Sequence, residues 1–181
     1  MRVLLAALML VANLCRADIV VPPGYELQKL DTTEGSIAKP KGWFYSHSAD
    51  KFSLTWVLAK EDPRAGRYQT GLRIQFVPNA TVAGKVPPDQ FVENFIAQKQ
   101  RTAEVKRACP AAKLGQFMRR CLETIEGPHR ILYSLFWSHE LDALVVTIFG
   151  APVADWETAR HIADRMNEFE LLGADFWRKK Q

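Results

Sequence analysis

The sequence predicts an α+β fold, an α-β-α sandwich with a central antiparallel sheet of about six strands and two principal helices. Three observations support this prediction. Several stretches carry apolar residues at every second position, the period of a half-buried strand. Two stretches carry an apolar face at helical spacing. The alternating stretches follow one another across short turns, which connect antiparallel strands.

The first part of the predicted domain consists of short extended pieces between turns. Residues 25–30 and 36–39 are extended in pattern, and clusters of proline, glycine and threonine surround them. Residues 52–58 and 72–76 then alternate apolar and polar side chains. Residues 61–67 between them are charged and contain proline and glycine, so we expect a hairpin with a long exposed connection.

Each of the two helices is predicted to begin at a proline, the residue that suits a first helical turn. Pro88 begins one helix, and Asp89 and Glu93 lie where the helix dipole favours negative charge. Pro152 begins the other helix. The apolar face of the first helix contains Phe91, Phe95 and Ile96. That of the second contains Trp156, Ala159, Ile162, Ala163, Met166 and Phe169.

Between the helices, the pattern predicts a three-stranded antiparallel meander. Its strands cover residues 114–125, 131–137 and 144–149. Gly127-Pro128 and the polar residues 139–142 supply the two turns.

Residues 1–17 have the pattern of a cleaved secretory signal. Arg2 precedes an apolar run, and Cys15-Arg16-Ala17 ends it with small residues at the cleavage positions. We therefore expect a mature single domain over residues 18–181, secreted or periplasmic. A buried first helix or a retained membrane anchor is the alternative, but a spanning helix needs about 20 apolar residues. A lipid anchor at Cys15 is a further alternative, against which bulky Leu14 stands directly before the cysteine.

Charge argues against a nucleic-acid partner. The chain has 24 basic and 20 acidic residues, a net charge of +4. Removing residues 1–17 removes Arg2 and Arg16, which leaves 22 basic residues and a net charge of +2. Electrostatic binding to phosphates requires a clustered basic face, and no such cluster with interleaved aromatic residues is present in the sequence.

The same cleavage leaves two cysteines, Cys109 and Cys121. An even number of cysteines in an oxidising compartment predicts a structural disulfide. Free buried thiols and a redox pair are the alternatives, although the spacing differs from that of a Cys-x-x-Cys redox motif.

The sequence contains no common catalytic motif. A glycine-rich phosphate loop, a nucleophile elbow, His-Glu-x-x-His and paired Cys-x-x-Cys are all missing. Residues 46–50 contain Ser, His and Asp in a row, but a catalytic triad is assembled from separate segments. We therefore expect a protein without catalysis, cofactor or metal. His139, Glu140 and Asp142 could serve a metal-dependent hydrolase only with ligands from elsewhere, and otherwise form a polar turn.

Trp43, Phe44 and Tyr45 are adjacent, and the pleat of a strand cannot bury all three on one face. At least one must lie on the surface or under a loop. We take these three residues, with His139, Glu140 and Asp142, as a candidate binding surface.

The stretch Ser36-Ile37-Ala38-Lys39-Pro40-Lys41-Gly42-Trp43 resembles the short strand and Pro-x-Gly-Trp motif that open domains of the PsbP-like superfamily. The order of elements over residues 25–172 resembles it as well. The superfamily includes thylakoid-lumen photosystem subunits and bacterial periplasmic proteins of the DcrB group. The resemblance implies an α-β-α sandwich used for binding, docking and assembly. It carries over only the structural positions Pro40, Gly42 and Trp43.

These observations favour a non-catalytic secreted or periplasmic accessory protein that contacts another envelope protein through a sheet edge or a loop surface. One alternative is a small-ligand carrier with a pocket near Trp43 and Tyr45. The other alternative is the metal-dependent hydrolase of the turn at residues 139–142.

Overall fold

The structure is a computed structural model that describes residues 20–172. The predicted signal segment and Cys15 lie outside the described residues. The strands are β1 (Tyr25–Leu30), β2 (Glu34–Pro40), β3 (Phe44–Ala49), β4 (Leu54–Ala59), β5 (Gly71–Pro78), β6 (Glu104–Leu114), β7 (Phe117–Glu126), β8 (His129–Ser138), β9 (Ala143–Pro152) and β10 (Phe169–Leu172). The helices are α1 (Ala80–Gly84), α2 (Pro88–Thr102) and α3 (Trp156–Met166), the last preceded by a 3₁₀ turn at Val153–Asp155.

The strands form two antiparallel sheets, which confirms the α+β class. Seven strands pair in the order β3-β4-β5-β9-β8-β7-β6, and three pair in the order β1-β2-β10. The prediction of about six strands in one sheet is wrong in number, because β3, β6 and β10 lack apolar alternation or length. β3 and β6 are edge strands with mostly exposed side chains, and β10 has only four residues. The prediction of two principal helices omits the five-residue α1.

Four of the predicted element boundaries are also wrong. Leu114, the predicted start of a meander strand, belongs to β6, whereas β7 begins at Phe117. Pro152, the predicted start of the last helix, ends β9, and α3 begins at Trp156.

The other two boundaries concern phenylalanines. Phe52 was expected in a strand, but it lies in the turn between β3 and β4 and is 44% exposed. Phe169 was expected on the last helix, but α3 ends at Met166 and Phe169 pairs with Ile37 of β2. In both cases an apolar residue continues the period of its neighbours although the chain has already turned.

Each face of the large sheet is covered by a separate layer. On one face, α2 packs Val92 and Ile96 against Leu122, Leu135 and neighbouring residues of β7 to β9. On the other face, α3 and the small sheet bury the larger core, where the rings of Phe149 and Trp156 meet edge to face at 6.2 Å. Burying each large apolar side chain contributes about 1.5–3 kcal/mol to folding. The stacked layers therefore hold the sheet from both sides.

The disulfide connects one edge strand to its neighbour. Cys109 of β6 and Cys121 of β7 are directly opposed in the strand register, with Cα atoms 4.9 Å apart, and their sulfur atoms are bonded. This confirms the cysteine pairing expected from the sequence. Within residues 20–172, no helix is long and apolar enough to cross a membrane.

A buried carboxylate joins the sheet to α3. Glu123 of β7 has a side chain only 1% exposed, and it forms ion pairs with Arg130 of β8 and Arg160 of α3. The Arg160 contact measures 2.9 Å from Nη1 to Oε2. A charge at this depth is tolerated because both of its oxygens are paired.

Candidate functional site

The aromatic residues at the start of β3 alternate as the pleat requires. Phe44 is 39% exposed, whereas Trp43 and Tyr45 are half-buried and pack against the larger core. The carbonyl oxygen of Trp43 accepts a hydrogen bond of 2.6 Å from the ammonium of Lys39. Phe44 is therefore the large apolar side chain that this strand presents to solvent.

The inner side of β3 is fixed by Asp31, in the turn between β1 and β2. The Asp31 amide donates a hydrogen bond of 3.0 Å to the hydroxyl of Tyr45, and the Asp31 carboxylate lies 3.1 Å from Nδ1 of His47. Burial, with the nearby Asp31 carboxylate, raises the pKa of Tyr45 to about 12. The hydroxyl is therefore protonated at neutral pH, and the strand is held from a second element.

The outer edge of β3 has no strand partner among residues 20–172. The strand reads Phe-Tyr-Ser-His-Ser-Ala, with no lysine, arginine, carboxylate or proline. Its six residues pair with β4 without a break, from Phe44 opposite Ala59 to Ala49 opposite Leu54. An unbroken, uncharged edge strand is a template for pairing with another chain.

The opposite edge strand, β6, has the features that prevent such pairing. It carries Lys106, Arg107 and Lys113, and Pro110 lies within it. Its register with β7 breaks twice, between Val105 and Arg107 and between Cys109 and Ala112. Charges, proline and bulges all make an edge a poor template.

The edges of the small sheet are charged as well. β1 contains Glu26 and Lys29, and β10 contains Glu170. Among the sheet edges that the structure describes, β3 alone lacks charge, proline and bulge.

The turn at residues 139–142, between β8 and β9, contacts both α1 and α2. Oδ1 of Asp142 accepts hydrogen bonds from the Thr81 amide at 3.0 Å and the Thr81 hydroxyl at 2.7 Å. Nε2 of His139 lies 3.4 Å from Oδ1 of Asp89 in the first turn of α2, and Glu140 is exposed. No group of three or more His, Cys, Asp or Glu side chains suited to a metal occurs in the described part of the chain.

The two halves of the candidate surface lie at opposite ends of the large sheet. Phe44 pairs with Ala59 at one end of β4, whereas the other end of β4 pairs with Phe76. Phe76 in turn pairs with Val145, beside the turn that holds His139 and Asp142. The structure therefore does not bring Trp43, Phe44 and Tyr45 together with the turn residues into one site.

A groove that the sequence did not reveal lies at the second end. A cavity of about 490 Å³ opens where the β3–β4 turn, the β8–β9 turn and the end of β10 meet. A cavity of about 180 Å³ adjoins it, and Phe117 and Leu171 line both. We call these two cavities the end groove. The apolar residues of the larger cavity are Phe52, Leu54, Phe76, Pro78, Phe117, Leu141, Ala143, Leu171 and Leu172.

A third cavity, of about 250 Å³, lies on the α2 side of the β3–β4 turn. Trp43, Phe44 and Tyr45 line none of these three cavities. Phe52, a large apolar residue in a turn, is the one signal of the groove in the local sequence. The proximity of β10 and β7 is a consequence of the fold and leaves no such signal.

Comparison with known proteins finds similar solved structures at low identity. The PsbP (CyanoP) of Synechocystis sp. PCC 6803 is 14% identical over 84% of this chain and 95% of its own, with a TM-score of 0.49. The Ran-binding protein Mog1p of Saccharomyces cerevisiae is 13% identical over 84% of this chain and 97% of its own, with a TM-score of 0.48. No family model matches the chain, and no curated protein matches it significantly. At these identities and TM-scores the two structures carry no conclusion about this chain, and the resemblance to the PsbP-like superfamily stays a prediction from the sequence.

Proposed function

We propose that this protein is a non-catalytic accessory protein, secreted or periplasmic, that binds another envelope protein by accepting an extended segment at the outer edge of β3. The observation that carries the proposal is the edge of this strand, which is uncharged, regular and unpaired among residues 20–172. Strand addition uses main-chain hydrogen bonds for affinity and side-chain pockets for specificity.

The side chains of β3 suit such a partner. Phe44, Ser46 and Ser48 lie on one face of the sheet, opposite Ala59, Val57 and Thr55 of β4. An incoming strand would place apolar residues beside Phe44 and small or polar residues beside the two serines. The partner segment is therefore expected to be extended, with an apolar residue near one end.

The edge is also prepared for binding before the partner arrives. Asp31 holds Tyr45 and His47 from the inner side, so β3 need not become ordered on association. A strand already in its bound conformation loses less entropy when a partner pairs with it.

The location rests on two supporting features. Residues 1–17 have the pattern of a secretory signal. The Cys109–Cys121 disulfide fits an oxidising compartment such as the periplasm or the extracellular space.

The test is a crosslinked pull-down from intact envelopes with two lysine variants. Ser48→Lys charges the open edge, and Ala108→Lys places the same charge on an exposed residue of β6. We expect the wild-type chain and Ala108→Lys to recover the same stoichiometric partner, and Ser48→Lys to recover on the order of tenfold less.

Two results would overturn the proposal. One is recovery of no stoichiometric partner by the wild-type chain. The other is equal recovery of the partner by Ser48→Lys and the wild-type chain, provided that circular dichroism shows both to be folded.

A further inference from the structure

The end groove presents an apolar surface to solvent. Three large apolar side chains at or beside its rim are well exposed: Phe52 at 44%, Leu141 at 40% and Leu114 at 58%. Its deeper parts are lined by Phe76, Phe136 and other buried or half-buried apolar residues. The larger cavity alone, about 490 Å³, is in the size range of small-molecule sites.

Two charged side chains line the groove, Asp50 and Lys51. Lys51 lines the groove, its Nζ lies 5.1 Å from the centre of the Phe52 ring, and no ion pair to it occurs among the described residues. The neighbouring Asp50 directs its oxygens into the turn, accepting hydrogen bonds from the amides of Phe52 and Ser53, each at 2.7 Å, and from the Ser53 hydroxyl. These bonds lower the pKa of Asp50 and engage its carboxylate in the turn.

The apolar interior favours an alkyl chain over a peptide. A peptide backbone brings an N–H and a C=O with every residue, and burying each without a partner costs free energy. The shared lining residues Phe117 and Leu171 offer only apolar side chains to an occupant. A saturated chain makes no such demand, and each buried methylene contributes about 0.8 kcal/mol.

We propose that the end groove binds a long-chain carboxylate, with its alkyl chain along Phe117 and Leu171 and its carboxylate at Lys51. The apolar body of the ligand matches the mostly apolar lining. Its single negative charge matches Lys51, the one cation among the described residues that line the groove, while the Asp50 carboxylate is engaged by hydrogen bonds of the turn. This site goes beyond the partner surface of β3, and its test requires no protein partner.

The test is titration calorimetry of the purified full chain, as its host processes it, with dodecanoate below its micellar concentration. We expect one saturable site, and about fourfold weaker binding for each methylene removed from the probe. Lys51→Gln should weaken dodecanoate binding about tenfold, because it removes the charge pairing at the rim.

Lys60→Gln is the matched control, because Lys60 is also exposed and follows β4, whereas Lys51 precedes it. Lys60→Gln should bind dodecanoate as the wild-type chain does. Dodecanol, which has the same chain without a charge, should bind the wild-type chain and Lys51→Gln equally. Leu141→Glu, a change at an exposed rim residue, should weaken dodecanoate binding by charge repulsion.

The proposal is overturned if dodecanoate shows no saturable binding to the wild-type chain. It is equally overturned if Lys60→Gln weakens binding as much as Lys51→Gln, or if Leu141→Glu leaves dodecanoate affinity unchanged. The first result would also follow if another segment of the chain or a protein partner filled the groove instead.

Discussion

Gly35 lies in β2 at a close approach to β10, its antiparallel neighbour in the small sheet. A Cβ atom added there would lie 2.2 Å from the carbonyl oxygen of Glu170, which is far inside van der Waals contact. We expect Gly35→Ala to lower the free energy of unfolding by about 1–3 kcal/mol, because β10 must shift. Urea unfolding measures this loss. Gly150→Ala is the control, since its Cβ would meet only Ile131 at 3.9 Å, and equal losses in the two variants would contradict the close approach.

Glu123 is the most deeply buried charge of the network between β7 and α3. Glu123→Gln leaves Arg130 and Arg160 without their shared carboxylate, so we expect a loss of about 3 kcal/mol in unfolding free energy. Glu157→Gln is the control, because Glu157 is 91% exposed and lies 3.6 Å from the same Arg130. It should change stability by less than about 0.5 kcal/mol. Similar losses in both variants would argue against a buried network.

Glu126 makes stability depend on pH. Burial raises the pKa of its carboxyl, but hydrogen bonds from Lys99, Tyr133 and Thr124 more than offset this effect, so the pKa is lowered. A carboxyl with a lower pKa in the folded state stabilises the fold above its unfolded pKa, and this contribution is lost as pH falls. As pH falls from about 7 to about 3, we expect the difference in unfolding free energy between the wild-type chain and Glu126→Gln to shrink. A difference in unfolding free energy that is constant over this range would contradict the assignment.

Among the elements, the strands that the sequence predicts well are those with one buried face. β5 alternates Leu72, Ile74 and Phe76 inward, and this alternation is visible in the sequence. β3 and β6 are edge strands whose residues face water on most sides, so their hydrophobic period is weak. Backbone pairing rather than side-chain burial makes them strands, and pairing with a distant segment leaves little trace in the local sequence.

The disulfide stabilises β6, the strand with the least burial. We expect replacement of both Cys109 and Cys121 by alanine to lower the unfolding free energy by about 3 kcal/mol, because the crosslink restricts the unfolded chain. Urea unfolding with and without reductant checks this. Reductant should lower the stability of the wild-type chain and leave the double variant unchanged. A wild-type chain that is insensitive to full reduction would contradict a stabilising role.

At the scale of the whole molecule, only part of the candidate site was accessible from the sequence. The alternate exposure of Trp43, Phe44 and Tyr45 follows from the pleat, which is local. The openness of β3 depends on which strand lies at the sheet edge, and the end groove depends on the meeting of β3–β4, β8–β9 and β10. These are properties of topology, which a hydrophobic pattern does not specify.

The proposed location also makes a prediction for the whole chain. If residues 1–17 are removed as a signal, the intact mass of the purified protein should correspond to a chain that begins at Asp18, with no added lipid. Mass spectrometry of the protein from its host checks this. A mass that begins at Cys15 with attached acyl groups, or at Met1, would contradict it.

The proposed function places a partner protein against the open edge of β3. The most direct measurement is site-specific photocrosslinking in intact envelopes, with a crosslinking amino acid at Ser48 of β3 or at Ala108 of β6. We expect one discrete adduct, with a single partner protein, from position 48 and none from position 108. No adduct from position 48, or the same adducts in equal yield from both positions, would contradict it.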